Sequence, residues 1–284
     1  MSPPAARVDN EDMSTPPRTF RFGAIHSHRG DARAWADSAI EVEALGYSTL
    51  LVPDTLWTPS PFLVLTAAAA STSTLRLGTW VLSAPLRRPA EVVRETTTIQ
   101  ELSGGRFELG IGAGRPGGDV DAATLGAEWG SPRHRVDRVH EVVTAAHAQI
   151  KPAPDIVIAG QGERMLRIAG AAASTLALPV SPDTDLDQLA ALTDRVMTIA
   201  GDGLELSLSV TGVGDDIPDW LRQQLGLTPE GLRRSGAVAL LSGDVERDAD
   251  TLTRLRDRTG ISYLTVSAAF AVRLAPLVAR LAGR

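Results

Sequence analysis

The chain has 284 residues and a formal net charge of −6, with 43% hydrophobic but only 4% aromatic residues. That length suits a single (β/α)8-type domain, and an acid excess without any Lys/Arg-rich run argues against a nucleic-acid backbone as the main partner. Cys is absent, which excludes disulfides, thiolate nucleophiles and cysteine-ligated metals. Met1 to Thr19 is polar and proline-containing without the apolar stretch of a signal peptide, so it reads as a disordered leader to a cytoplasmic domain spanning 20–284. No apolar run approaches the roughly 18 uninterrupted residues of a membrane helix.

Strand-like runs then alternate with helical patterns. Arg21–Ile25 is the first expected strand, and helix Trp35–Leu45 follows and stops at Gly46. Thr49–Pro53 and Leu75–Leu82 are strands two and three, separated by the Ala-rich helix Pro61–Ser71. Helix Pro89–Leu102 opens on a proline suited to its first turn, and strand four is Arg106–Ile111. Helix Arg135–Ile150, strand Asp155–Ala159 and helix Glu163–Ala173 come next. Strand Thr175–Pro179, helix Leu186–Ala200 and strand Leu204–Val210 bring the count to seven; helix Val245–Arg258, strand Ile261–Val266 and helix Val272–Leu281 complete it. Eight strand-then-helix units predict an α/β chain folded as a (β/α)8 barrel, with an open doubly wound sheet as the alternative. In a barrel the chemistry sits in the loops that follow the strands.

Those loops carry the candidate residues. His26 and His28 follow strand one and offer imidazoles as acid and base, or form an ordinary surface loop. Asp54 and Thr55 follow strand two; Asp54 either orients a ligand or caps the turn. Gly78, Thr79, Trp80 and Val81 end strand three, where glycine marks a bulge or a close approach and Trp80 is either core or a flat platform. Gly110–Arg115 reads GIGAGR after strand four, but Pro116-Gly117-Gly118 delays the next helix, which argues against a dinucleotide fingerprint. Gly160-Gln161-Gly162-Glu163-Arg164 opens straight into a helix, as a phosphate-binding turn or an ordinary tight turn would. Neither HxxxH, HExxH nor GxSxG occurs, so no metal is expected.

Taken in order, GYSTLLVPD (Gly46–Asp54), LRLGTWVL (Leu75–Leu82), LSGGRFELGIGAG (Leu102–Gly114), IAGQGERMLRIA (Ile158–Ala169) and GISYLTV (Gly260–Val266) resemble the luciferase-like oxidoreductases that use FMN or the deazaflavin coenzyme F420, with the F420 branch the nearer. The resemblance implies a (β/α)8 barrel with the cofactor over the C-terminal strand ends, and usually a homodimer. It implies a bulge at Thr79, Trp80 and Val81 behind the ring, with a cis peptide at Trp80-Val81. It places the phosphate at Gly160, Gln161, Gly162, Glu163 and Arg164, with Asp54, Gly112, Ala113, Gly114, Arg115 and Ala159 also at the cofactor.

Three departures stand out. Thr55 occupies the position of a His in many F420-dependent members, which leaves His26, His28 or Thr55 to assist the reaction. Arg115 stands in place of a Glu of the sugar-phosphate dehydrogenases, which argues against a hexose-phosphate substrate. The segment before strand five is short. The expected function is F420-dependent hydride transfer with a small organic, secondary-metabolite-like substrate. The alternatives are an FMNH2-dependent monooxygenase and a cofactor-free binding protein or cyclase.

Overall fold

The computed structural model describes residues 17–284. The expected leader lies outside the described residues up to position 16; Pro17–Thr19 have no regular structure, and Phe20 bridges to Ala282 beside the C-terminus. The strands are β1 (Arg21–Ile25), β2 (Thr49–Val52), β3 (Arg76–Thr79), β4 (Leu82–Ser83), β5 (Phe107–Gly112) and β6 (Asp155–Ala159). They continue with β7 (Thr175–Ala177), β8 (Glu205–Ser209), β9 (Gly212–Val213), β10 (Leu240–Leu241) and β11 (Ile261–Ser267). β1 pairs with both β2 and β11, β3 pairs with β5, and every pairing around the ring is parallel, so the sheet closes into a (β/α)8 barrel.

The helices are α1 (Ala32–Ala44), α2 (Pro61–Ser71), α3 (Pro89–Leu102), α4 (Gly118–Leu125), α5 (Pro132–Gln149) and α6 (Glu163–Ala172). Then come α7 (Leu186–Ala200), α8 (Asp219–Leu225), α9 (Pro229–Ser235), α10 (Val245–Thr259) and α11 (Ala268–Leu281). Local chemistry sets several of these boundaries. Asp185 and Gln188 form a reciprocal capping box on α7. Ser131 caps α5 through the His134 N–H, with Pro132 in the first turn, so this helix starts three residues before the sequence pattern suggested. Its end at Gln149 is followed after five residues by β6, so the loop before the fifth barrel position is short, as expected.

Two expectations needed correction. The third strand is not continuous from Leu75 to Leu82: β3 stops at Thr79 and β4 resumes at Leu82. Between them Trp80 and Val81 leave the ladder, joined by a cis peptide. The stretch between β8 and α10, for which the sequence pattern offered no element, folds as β9, α8, α9 and β10, with Ile217, Leu221 and Leu232 as a small core of its own.

Inside the barrel, Tyr263 and Leu51 fill the space left by glycines. A Cβ on Gly23 would stand 2.6 Å from the Tyr263 hydroxyl, and one on Gly78 would stand 2.8 Å from Leu51 Cδ2. The floor is polar. Arg21 reaches Glu108 at 2.7 Å and Glu205 at 2.6 Å, and Arg76 reaches Glu108 at 2.5 Å and also pairs with Asp155. Burial alone would lower the Arg21 pKa, but Tyr263, Glu108 and Glu205 outweigh it and raise it further above the usual arginine range. Between ring and helices lies an aliphatic layer in which Leu50, Leu77, Leu109 and Leu206 are fully buried, each stabilising by about 1.5–3 kcal/mol.

Candidate active site

The C-terminal strand ends open into a cleft that begins with the bulge. The Thr79 hydroxyl donates to the Gly110 carbonyl at 2.7 Å and accepts from the Gly110 N–H at 2.9 Å. One side chain thus replaces the ladder that β3 gives up, and the next two residues can turn toward the mouth. Gly110 has to be glycine because a Cβ there would land on the Thr79 carbonyl oxygen. Trp80 is anchored by its N–H to Val52 O at 2.8 Å. Its ring meets Tyr263 edge-on at 5.8 Å, and Arg21 lies over that tyrosine, 3.6 Å from the ring centroid. An Arg21–Tyr263–Trp80 column therefore runs along the barrel axis from floor to mouth.

On one side of Trp80 is a cavity of about 580 Å³. Asp54, Thr55, Trp80 and Val81 line one wall, Gly112–Arg115 the next, and Ala159–Gly162 the far end. Twelve of the expected site residues are thus brought together from four separate strand ends. Gly162 precedes α6 with no side-chain cap among the described residues, and open space surrounds the position a Cβ would take. The first turn of α6 therefore starts at the end of the cavity without a side-chain cap among the described residues, a setting that favours an anion.

The ionisable groups in this cavity are already engaged. Asp54 accepts two bonds from Arg87, at 2.7 and 2.8 Å, and one from the Ser83 N–H at 3.1 Å. Burial would lower the Arg87 pKa, but the hydrogen bond and charge of Asp54 raise it instead. Arg115 donates to Asp121 at 2.7 Å and lies 4.2 Å over the Trp57 ring. Two of the GxGxG glycines also make room within the protein, Gly112 for Val81 and Gly114, with the nearby Gly118, for the Trp129 ring.

The side chains of five expected site residues are directed elsewhere. Thr79 is buried behind the bulge with its hydroxyl committed to Gly110. Glu163 pairs with Arg167 and Arg164 with Asp137 on α5, both on the outer side of the turn. His28 stacks on Trp35 of α1 at 4.3 Å, and His26 meets the edge of His28 at 5.7 Å. Strand alternation explains this: Ile25 and Ser27 line the mouth, so His26 between them points outward to the helix layer. Burial, then the nearby His28, lowers the His26 pKa to about 4, so its imidazole is neutral near pH 7.

Reading the sequence missed Pro179, Ser83 and Met165, which also line this cavity. Pro179 ends the sixth expected strand, and the strand-end rule pointed there. Arg87, 33 residues from Asp54, left no local signal.

On the other side of Trp80 is a second cavity of about 550 Å³, bounded by Leu178, Pro179, Val210 and the inserted helix α8. A smaller space of about 210 Å³ over the barrel axis, lined by Val81, Ala177 and Ser207, lies between them. Trp80 and Pro179 border all three. Among the described residues no group of three or more His, Cys, Asp or Glu could hold a metal ion, and no helix is long and apolar enough to cross a membrane.

Comparison with known proteins bears on this cleft. The family model for luciferase-like monooxygenases matches residues 18–211. A 4-hydroxyprotoasukamycin monooxygenase from Streptomyces nodosus subsp. asukaensis is 30% identical over 159 residues, 46% of this chain and 42% of that protein. The match thus spans less than half the length of that relative. Two solved structures share the fold at low identity. A riboflavin lyase with modified FMN and riboflavin superposes with a TM-score of 0.72 at 14% identity, over 93% of this chain and 91% of the other. An F420-dependent secondary alcohol dehydrogenase with an F420–acetone adduct superposes with a TM-score of 0.70 at 15% identity, over 92% and 98%.

Proposed function

The chain belongs to the luciferase-like monooxygenase family, and on that premise we propose that it is an oxidoreductase dependent on coenzyme F420 that acts on a small organic molecule. The observation that carries this reading is the single cavity leading from Trp80 and Val81 to the uncapped start of α6. A ring-sized space at one end and a phosphate-compatible helix start at the other fit a flavin-type nucleotide. When bound, the deazaflavin would supply hydride transfer.

The rest falls to the chain's own residues. Trp80, Val81 and Pro179 form an apolar wall that excludes water from the reacting edge. Gly160, Gln161 and Gly162 receive the phosphate, and Arg115 adds positive charge on the approach to it. Asp54, held by Arg87 and the Ser83 N–H, fixes the loop opposite the platform. Of His26, His28 and Thr55, only Thr55 lines the cavity, so the donor role is assigned to its hydroxyl. Hydride transfer suits this site because both charged groups lining it are already paired, Asp54 with Arg87 and Arg115 with Asp121.

A second reading, an FMNH2-dependent monooxygenase, is favoured by the 30% identity to the monooxygenase named above. Titration of the purified chain with F420 and with FMN, followed by absorbance, separates the two. The expected result is F420 binding at least about tenfold tighter than FMN, a gap of about 1.4 kcal/mol. Tighter FMN binding with substrate-dependent oxygen uptake selects the monooxygenase. Absence of binding to either below about millimolar selects a cofactor-free binding protein or cyclase.

A further inference from the structure

The second cavity has a chemistry of its own. Its rim carries five hydroxyls, from Ser27, Ser181, Ser209, Thr211 and Ser267. Its apolar surface comes from Leu178, Val180, Val210, Leu221 and three prolines, and among the described residues no ionisable side chain lines it. Asp183 accepts a hydrogen bond from the lining residue Ser181 and would repel an anion. Two indoles face this space: Trp80 from the bulge and Trp220 from α8. Trp220 is 51% exposed, so its ring is not spent on packing.

The wall that carries Trp220 is held in place. Leu221 anchors α8 in the small core with Ile217 and Leu232. Arg273 of α11 donates to Val213 O at 3.1 Å and to Asp216 at 2.8 Å, and Gly214 and Gly243 leave room for its guanidinium. Arg222 and Arg233 are turned to Asp215 and Gly214, so the arginines of the insert are engaged with its own backbone and acids.

We infer that this cavity is the substrate subsite and that it selects a neutral, flat, aromatic carbonyl or phenol-type compound, with Trp220 as a specificity-determining residue. This inference rests on the oxidoreductase reading only in placing the substrate beside the cofactor, the two meeting at the small space that borders both cavities. The physical basis is direct. An anion entering here finds no cationic partner among the lining residues and loses its hydration, whereas a neutral carbonyl or hydroxyl finds the hydroxyls of Ser27, Thr211 and Ser267, those of Ser181 and Ser209 being engaged with Asp183 and Thr265. A flat ring gains contact with the indole faces that a flexible chain gains only by giving up rotamer freedom.

Calorimetric titration of the full chain with 2-acetylnaphthalene, 2-naphthoate and decanal tests both halves. The first two differ mainly in charge, and the first and third mainly in shape. The neutral ketone is expected to bind about tenfold tighter than either of the others. Trp220→Ala should weaken the ketone about fivefold or more, Trp220→Phe should stay within about twofold of the parent, and F420 and FMN affinity should not change in either variant. Equal or tighter binding of naphthoate or decanal overturns the substrate class, and an unchanged ketone affinity in Trp220→Ala overturns the role of Trp220. The charge comparison is made on the unaltered chain, so it stands even if a variant fails to fold. Selectivity lost while a cofactor still binds removes this inference alone; selectivity kept while neither cofactor binds removes the oxidoreductase reading alone.

Discussion

At the floor of the barrel, Arg21, Arg76, Glu108 and Glu205 bind one another at 2.5 to 2.7 Å, whereas at the mouth the groups around Trp80 are hydroxyls, prolines and aliphatic side chains. Both ends pair their charges within the protein, Arg21 and Arg76 with Glu108 at the floor and Asp54 with Arg87 and Arg115 with Asp121 at the mouth. The ions of the floor close the barrel and leave little for a ligand to claim. The mouth leaves hydroxyls and the first turn of α6 open, so its polarity is available for recognition. Tyr263 joins the two ends, in contact with both Arg21 and Trp80. Charge in this chain stabilises where it is paired and buried, and neutral polar groups left open beside a cavity are the ones available for recognition.

The comparison can be broken most severely at the bulge that shapes the mouth. Gly110→Ala puts a Cβ on the Thr79 carbonyl oxygen, so β5 or the bulge must move; a loss above about 4 kcal/mol, read as the urea midpoint or as failure to accumulate soluble protein, is expected. An unchanged midpoint would show that the strand relaxes freely, against the seating argued here. At the floor, Glu108→Ala leaves Arg21 and Arg76 without their shared carboxylate. It should cost about 3–5 kcal/mol in urea denaturation while leaving cofactor affinity unchanged in the folded protein. A variant that kept its stability but lost cofactor binding would reverse the roles assigned to the two ends.

The smallest effect concerns pH. The His26 imidazole is held neutral with its pKa near 4, while the unfolded chain takes up a proton near the ordinary histidine value of 6.5. The unfolded state therefore binds more protons between these values, and stability contributed by the neutral form is present above about pH 6.5 and is lost as pH falls toward 4. The full loss is about 3 kcal/mol. His26→Leu should flatten the dependence of the urea midpoint on pH over that window, and an identical slope in both proteins would count against the neutral assignment.

Much of the frame was legible. Pro61–Ser71, Pro89–Leu102 and Leu186–Ala200 form helices with the boundaries the sequence implies, because proline at the first turn and an Asp–Gln capping box are local signals. The glycine motif GIGAG was visible, but its reason was not. Spacing cannot tell a glycine that admits a ligand from one that admits Val81 or Trp129. The two histidines illustrate the same limit. Their position after β1 was clear, and a one-residue alternation turned His26 to the helix layer.

By itself, then, the order of residues determined the eight-unit barrel, the end at which a site would form and twelve of the residues that line the first cavity, because periodicity, caps and strand-end loops are short-range properties. Only the tertiary structure decided which charges remain available. Asp54 meets Arg87 across 33 positions, Arg21 meets Glu205 across 184, and Arg273 grips the insert across 57. Such pairings depend on which strands and helices become neighbours when the ring closes, and no local pattern encodes that. The neutral second cavity follows from the same closure, which brings α8 and Trp220 over a mouth whose charged neighbours have already found partners.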